Sequence, residues 1–147
     1  MYELKVKRVY EEVSKGDGYR ILVDRLWPRG ISKAKVDFWL KDIAPSTELR
    51  KWYGHVGEQY SDFRKLYEKE LEEKNCILDF LNICKGHMNY ENVTLLYAAN
   101  SVEENNAIVL RDWILKKRIM LLKQQKYIIY NIRIDNRDYK GGIRTWS

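Results

Sequence analysis

The side chains best able to do chemistry sit close together in Asp24-Arg25-Leu26-Trp27-Pro28-Arg29-Gly30. A carboxylate there can take a proton or orient a guanidinium. The forked donors of Arg25 and Arg29 suit phosphate or carboxylate. Trp27 offers a flat apolar wall, to which Trp52 and Tyr97 can add. A second group follows a later apolar run: Tyr97, Asn100, Ser101 and Asn105. Ser101-Val102-Glu103-Glu104 fits a capping box, so a helix starting there would aim unpaired N–H groups at an anion. His55 is the one residue suited by type to acid–base work near neutrality. Asp24 and His55 are thus the candidate catalytic residues. Arg25, Trp27, Arg29, Tyr97, Asn100, Ser101 and Asn105 are the candidate ligand contacts.

Each residue also has a structural reading. Asp24 and Arg25 are neighbours, so on a strand they point to opposite faces and each needs its own partner. Ser46 and Ser101 read as helix caps, since neither sits in a Gly-x-Ser-x-Gly elbow. Arg50 and Arg111 fall in helical stretches and read as surface or core-edge residues. Cys76 and Cys84 read as two buried thiols, and no metal site is expected from their spacing. The glycine patterns of dinucleotide and P-loop sites are missing, so no cofactor is assigned.

These groups need a scaffold. Leu4 to Tyr10 alternates apolar and basic residues, the period of a strand with one wet face. Arg20 to Leu26 holds an unbroken Ile-Leu-Val core, the mark of a strand buried on both faces. Ser32 to Ile43 reads as a loop with a short helix. A short helix follows Ser46 or Thr47, with Gly54 expected to stop it before His55. Glu58 to Glu73 is the clearest helix, and another runs from Ile77 to a capping glycine at Gly86. Val93 to Ala99 is the third strand, and a helix follows it toward Leu122. Tyr127 to Ile134 reads as a further strand. Strands alternating with helices predict an α/β layered fold with a small, mostly parallel sheet flanked by helices. The connection from the first strand to the second is too short for a standard helical crossover, which leaves the first strand's direction open.

The length of 147 residues predicts one main domain, over 1–122, with a basic extension over 123–147 holding an edge strand and a loose end. The net charge of +6 is unevenly spread. From Lys116 onward there are nine Lys or Arg against two Asp, a net of +7, so the preceding residues are close to neutral. This weakens a nucleic-acid role for the whole chain and leaves one for the tail. No apolar run is long enough to span a bilayer, and Met1 to Lys5 has no leader pattern; a cytoplasmic protein is expected.

The chain resembles the YeaO-like family at Asp24 to Gly30, at Ala44-Pro45-Ser46-Thr47-Glu48-Leu49-Arg50-Lys51-Trp52, and at Tyr53-Gly54-His55. The likeness returns at Thr94 to Ala99 and Asn105 to Leu110. It covers roughly Met1 to Lys117. The resemblance implies a Rossmann-like α/β domain of unknown function. Members often carry Lys or Arg where this chain has Asn100, and His where it has Asn106. If that histidine were the family's acid or base, this chain lacks it. The resulting expectation is a small-anion domain, for a nucleotide or a phosphorylated or carboxylated metabolite, with an Arg-rich pocket at the carboxyl ends of the strands. Whether it turns a substrate over is open. The alternative is a nucleic-acid-binding or regulatory protein acting through its tail. A third reading has the edge strand pairing with another subunit.

Overall fold

The computed structural model describes residues 2–56 and 59–138; within these, the side chains of 55, 56, 119, 121, 122, 131 and 134–138 lie outside the description. Four strands form one all-parallel sheet: β1 (Leu4–Arg8), β2 (Tyr19–Leu22), β3 (Phe38–Trp39) and β4 (Val93–Tyr97), in the order β1-β4-β2-β3. The helices are α1 (Thr47–Val56), α2 (Tyr60–Glu73), α3 (Ile77–His87) and α4 (Asn106–Asp138). The predicted α/β class with a small parallel sheet is what the chain adopts. One compact unit ends at Trp113, and a second begins at Ile114, within α4. No described helix is long and apolar enough to cross a membrane.

The last strand in sequence takes the centre. β4 pairs with β1 from Leu4↔Val93 to Arg8↔Tyr97, and with β2 from Tyr19↔Val93 to Leu22↔Leu96. All five β4 residues are buried, as expected for a strand covered on both faces. β1 is therefore parallel to β2 with β4 between them. Ten residues, 9–18, make that return without a helix. Extended chain reaches up to about 3.6 Å per residue, which is ample.

The return is locked at its end. Asp17 accepts from Lys7 Nζ at 3.0 Å and from Arg20 Nη1 at 2.5 Å, and its backbone carbonyl accepts from Thr94 Oγ1 at 2.6 Å. Burial raises the Asp17 carboxyl, but the Ser14 amide, Lys7 and the Ser14 hydroxyl outweigh it and hold it at about 2. Gly18 has φ 63°, and a Cβ there would fall 1.9 Å from the Asn92 carbonyl oxygen, so only glycine fits this close approach.

Beyond β2 the chain runs through short segments. Val9, Leu22, Ile31 and Leu96 form a buried cluster against which Trp27, Val36 and Ala98 pack. β3, in the stretch expected to be loop and helix, adds two residues to the sheet edge, Ile21↔Phe38 and Leu22↔Trp39.

Several boundaries differ from those expected. β2 ends at Leu22, so Asp24 lies beyond the ladder. Gly54 and Gly86 fall inside α1 and α3. Of the two free thiols, Cys84 is buried and pushed up to about 12 by that burial, while Cys76 is only half-buried. The strand expected at Tyr127–Ile134 is helical instead, part of α4. Its residues are β-prone, but no Pro or Gly interrupts 106–138, and adding a residue to an existing helix is easier than starting a strand.

Candidate functional site

Val23 still donates its N–H to the Leu96 carbonyl at 3.1 Å, and then the chain leaves the sheet. Asp24 is thus set at the carboxyl edge, where parallel sheets place ligands. Its Oδ2 accepts from the Ala98 amide at 2.8 Å, and its Oδ1 from Asn106 Nδ2 at 3.1 Å. Asn106 Nδ2 also reaches the Val23 carbonyl at 3.1 Å. Asp24 therefore ties the ends of β2 and β4 to the start of α4. Burial raises its carboxyl above the ordinary value of 3.8; the Ala98 amide, the Asn106 amide and the Arg50 charge oppose this without cancelling it. The expectation that Asp24 orients an arginine is not met by any hydrogen bond: its partners are neutral amides.

Arg25 serves the scaffold. Its Nε donates to the Pro45 carbonyl at 3.1 Å and its Nη2 to the Ala44 carbonyl at 3.3 Å, pinning the entry to α1. Trp27 donates its indole N–H to the Ile31 carbonyl at 2.8 Å and meets Trp39 edge-on at 5.4 Å. Trp39 in turn donates to the Asp24 carbonyl at 2.7 Å. These bonds hold the 24–31 loop in one shape. Its glycine, Gly30, has φ 76° with open space around it.

A cleft of about 390 Å³ opens beside this loop. Asp24, Arg25, Trp27, Arg29 and Asn105 line it, five of the residues expected from sequence. Tyr10, Arg50, Tyr53, Phe63, Glu104 and Asn106 join them. Tyr10 donates its hydroxyl to the Arg29 carbonyl at 3.0 Å. Tyr53 stacks on Phe63 with centroids 4.5 Å apart, an apolar wall raised by α1 and α2. Burial and then the Glu104 carboxylate raise the Tyr53 phenol.

Three expected contacts fall elsewhere. Tyr97, the last residue of β4, is buried and does not line the cleft, whereas Ala98 and Ala99 beyond the strand do. Asn100 accepts from Arg8 Nη2 at 3.0 Å, and Arg8 Nε donates to the Ala99 carbonyl at 3.0 Å. Ser101 caps a turn, accepting from the Glu104 amide at 3.0 Å. The helix begins later than expected, at Asn106, with Asn105 Oδ1 accepting from the Ile108 amide at 3.0 Å. His55 lies in α1, and its side chain is outside the described residues. Trp52 belongs to a separate groove with Leu49 and Leu66. Arg111 lies beside Asp112 at 3.2 Å, away from the cleft. Among the described residues, no group of three or more His, Cys, Asp or Glu side chains is placed to hold a metal ion.

Sequence reasoning missed Arg50, Tyr53 and Phe63 as site residues. Arg50 and Tyr53 lay within the stretches that carry the family resemblance, but only the fold brings their helix to the loop, and Phe63 had no local signal. Asn106 did carry one, as the position where related chains often have histidine.

The sequence profile described as "Inactive DUF488-N3 subclade" matches residues 3–126. The chain is 44% identical over 117 residues to the uncharacterized protein YeaO of Escherichia coli, a match covering 76% of this chain and 96% of that protein. It is 38% identical over 109 residues to uncharacterized proteins of Mycobacterium bovis and Mycobacterium tuberculosis, covering 73% of this chain and 89% of each. No solved structure matches.

Proposed function

The chain belongs to the family described as the inactive DUF488-N3 subclade, and we propose that within it this protein binds a small organic anion in the cleft beside Asp24. One observation carries the reading. Residues 2–113 contain seven arginines. Arg8, Arg20, Arg25, Arg64 and Arg111 each hydrogen-bond a carbonyl or a side-chain oxygen. Arg29 and Arg50 have no hydrogen bond or ion pair among the described residues, and both line the cleft. Two uncommitted guanidinium groups lining one cleft suit a phosphate or carboxylate. Binding is favoured over turnover by the family's description.

Calorimetric titration with inorganic phosphate and a nucleoside monophosphate tests this. The Arg29→Ala, Arg50→Ala double variant should bind at least tenfold more weakly, with an unchanged far-UV spectrum. Equal affinity in the two proteins would remove the cleft from consideration.

A second reading assigns the part of α4 after Trp113 to nucleic acid. Lys123, Lys126 and Arg133 are exposed there beside exposed Tyr127 and Tyr130, and basic residues interleaved with aromatics suit a phosphate backbone with unstacked bases. Filter binding to single-stranded DNA and RNA at about 50 and 200 mM salt should show affinity falling by orders of magnitude. Salt-independent retention, or none at all, would end this reading.

A further inference from the structure

Resting on the anion reading, the geometry points to a narrower ligand class: a purine mononucleotide whose base turns an N–H edge toward Asp24 while its phosphate meets Arg29 and Arg50. Three features of the cleft combine in this.

The first is polarity. A site for a simple anion would be lined by donors. This cleft also holds two carboxylates, Asp24 and Glu104, against the two uncommitted arginines. Its lining therefore carries both signs, and a ligand that combines an anionic group with hydrogen-bond donors fits it better than phosphate alone. Asp24 can act as the donor's partner. An ionised carboxylate offers about four acceptor positions. The Ala98 and Asn106 amides take one on each oxygen, which leaves acceptor capacity on a carboxylate that lines the cleft. Two adjacent N–H groups, as on the guanine edge, match two oxygens on one carboxyl.

The second is the wall. Half-buried Tyr53 lines the cleft and is backed by the buried Phe63, whose ring lies 4.5 Å away, inclined by 28°. Enzymes and binding proteins hold isolated bases in this way, by an aromatic face and by hydrogen bonds to the base edge. A carboxylate metabolite without a ring would leave this surface unused.

The third is size. A volume of about 390 Å³ lies near the lower end of small-molecule sites, roughly 300 to 1,000 Å³. That suits a single nucleotide and leaves little room for a dinucleotide.

Calorimetric titration of the full chain with guanosine monophosphate, inosine monophosphate, ribose 5-phosphate and inorganic phosphate separates the contributions. Guanosine monophosphate should bind at least tenfold tighter than ribose 5-phosphate. Inosine monophosphate, lacking only the 2-amino donor, should lie between them. Asp24→Asn should narrow the gap between the two nucleotides, and Tyr53→Leu should lower nucleotide affinity more than ribose 5-phosphate affinity. The second variant keeps the test open should the first fail to fold. Equal affinity for guanosine monophosphate and ribose 5-phosphate would overturn the base preference and leave the anion reading standing. Nucleotide binding indifferent to both variants would also overturn it. Failure of all four compounds, phosphate included, would overturn both readings.

Discussion

Asp17 and Asp24 are inward-turned carboxylates at opposite ends of β2, and their surroundings drive them apart. Asp17 meets two cations, Lys7 and Arg20, and is held at about 2. Asp24 meets neutral amides, with Arg50 acting only as a more distant charge, and burial leaves it above its ordinary value. The amino end of the strand has thus paired its carboxylate internally, though Arg20 Nη2 stays buried without a hydrogen-bond partner among the described residues. The carboxyl end has not: its carboxyl group and its two free guanidinium groups share an open cleft. A carboxylate paired by cations inside a protein marks a structural lock, whereas charge left unpaired in a concave place marks a candidate site.

The contrast is tested most forcefully at Asp17. Asp17→Ala strands Lys7 and Arg20 around a buried gap, and removing one member of a buried pair typically destabilises by about 3–5 kcal/mol. Urea unfolding should show that loss. A change under about 1 kcal/mol would mean the lock is not one. A smaller and more diagnostic effect lies in pH. The lowered Asp17 pKa contributes stability that is present above 3.8 and disappears as pH falls toward about 2. The raised Asp24 pKa acts in the opposite direction: its contribution declines as pH rises from 3.8 through the folded-state value. Asp17→Asn should therefore flatten the acid side of the stability profile, and Asp24→Asn the decline above about pH 4. Identical profiles for the two variants would erase the contrast. The smallest effect is expected at Arg50. It is exposed and bonded to nothing described, so Arg50→Ala should change unfolding free energy by no more than about 0.5 kcal/mol while weakening anion binding.

Much of this was legible in the chain, and the failures have physical causes. Ile21-Leu22-Val23 and Val93 to Tyr97 announced buried strands because both faces are covered. Asp24, Arg25, Trp27 and Arg29 could be nominated because one stretch carries them all. Their division of labour could not. Arg25 and Arg29 look alike in sequence, yet Arg25 is consumed by the carbonyls of Ala44 and Pro45, and only the folded chain brings those within reach. Tyr97 was misassigned because it is still a buried residue of β4, and the cleft starts with Ala98 and Ala99 beyond the strand. The direction of β1 was hidden because β4, eighty-nine residues later, settles between β1 and β2. The tail misled for a local reason: Tyr127-Ile128-Ile129-Tyr130 favours a strand by type, but it continues a helix with nothing to stop it.

That central position of β4 also governs when the molecule can take shape during synthesis. β1 and β2 share no ladder of their own, and each waits for the strand spanning Val93–Tyr97. Until the ribosome has delivered that segment, the one ladder open to the described strands is the two-rung β2–β3 edge. The Asp24 carboxyl must wait in the same way for Ala98 and Asn106. Such distant pairings favour slow, late consolidation, so the amino-terminal half stays unfinished for most of the time the ribosome takes to reach Tyr97.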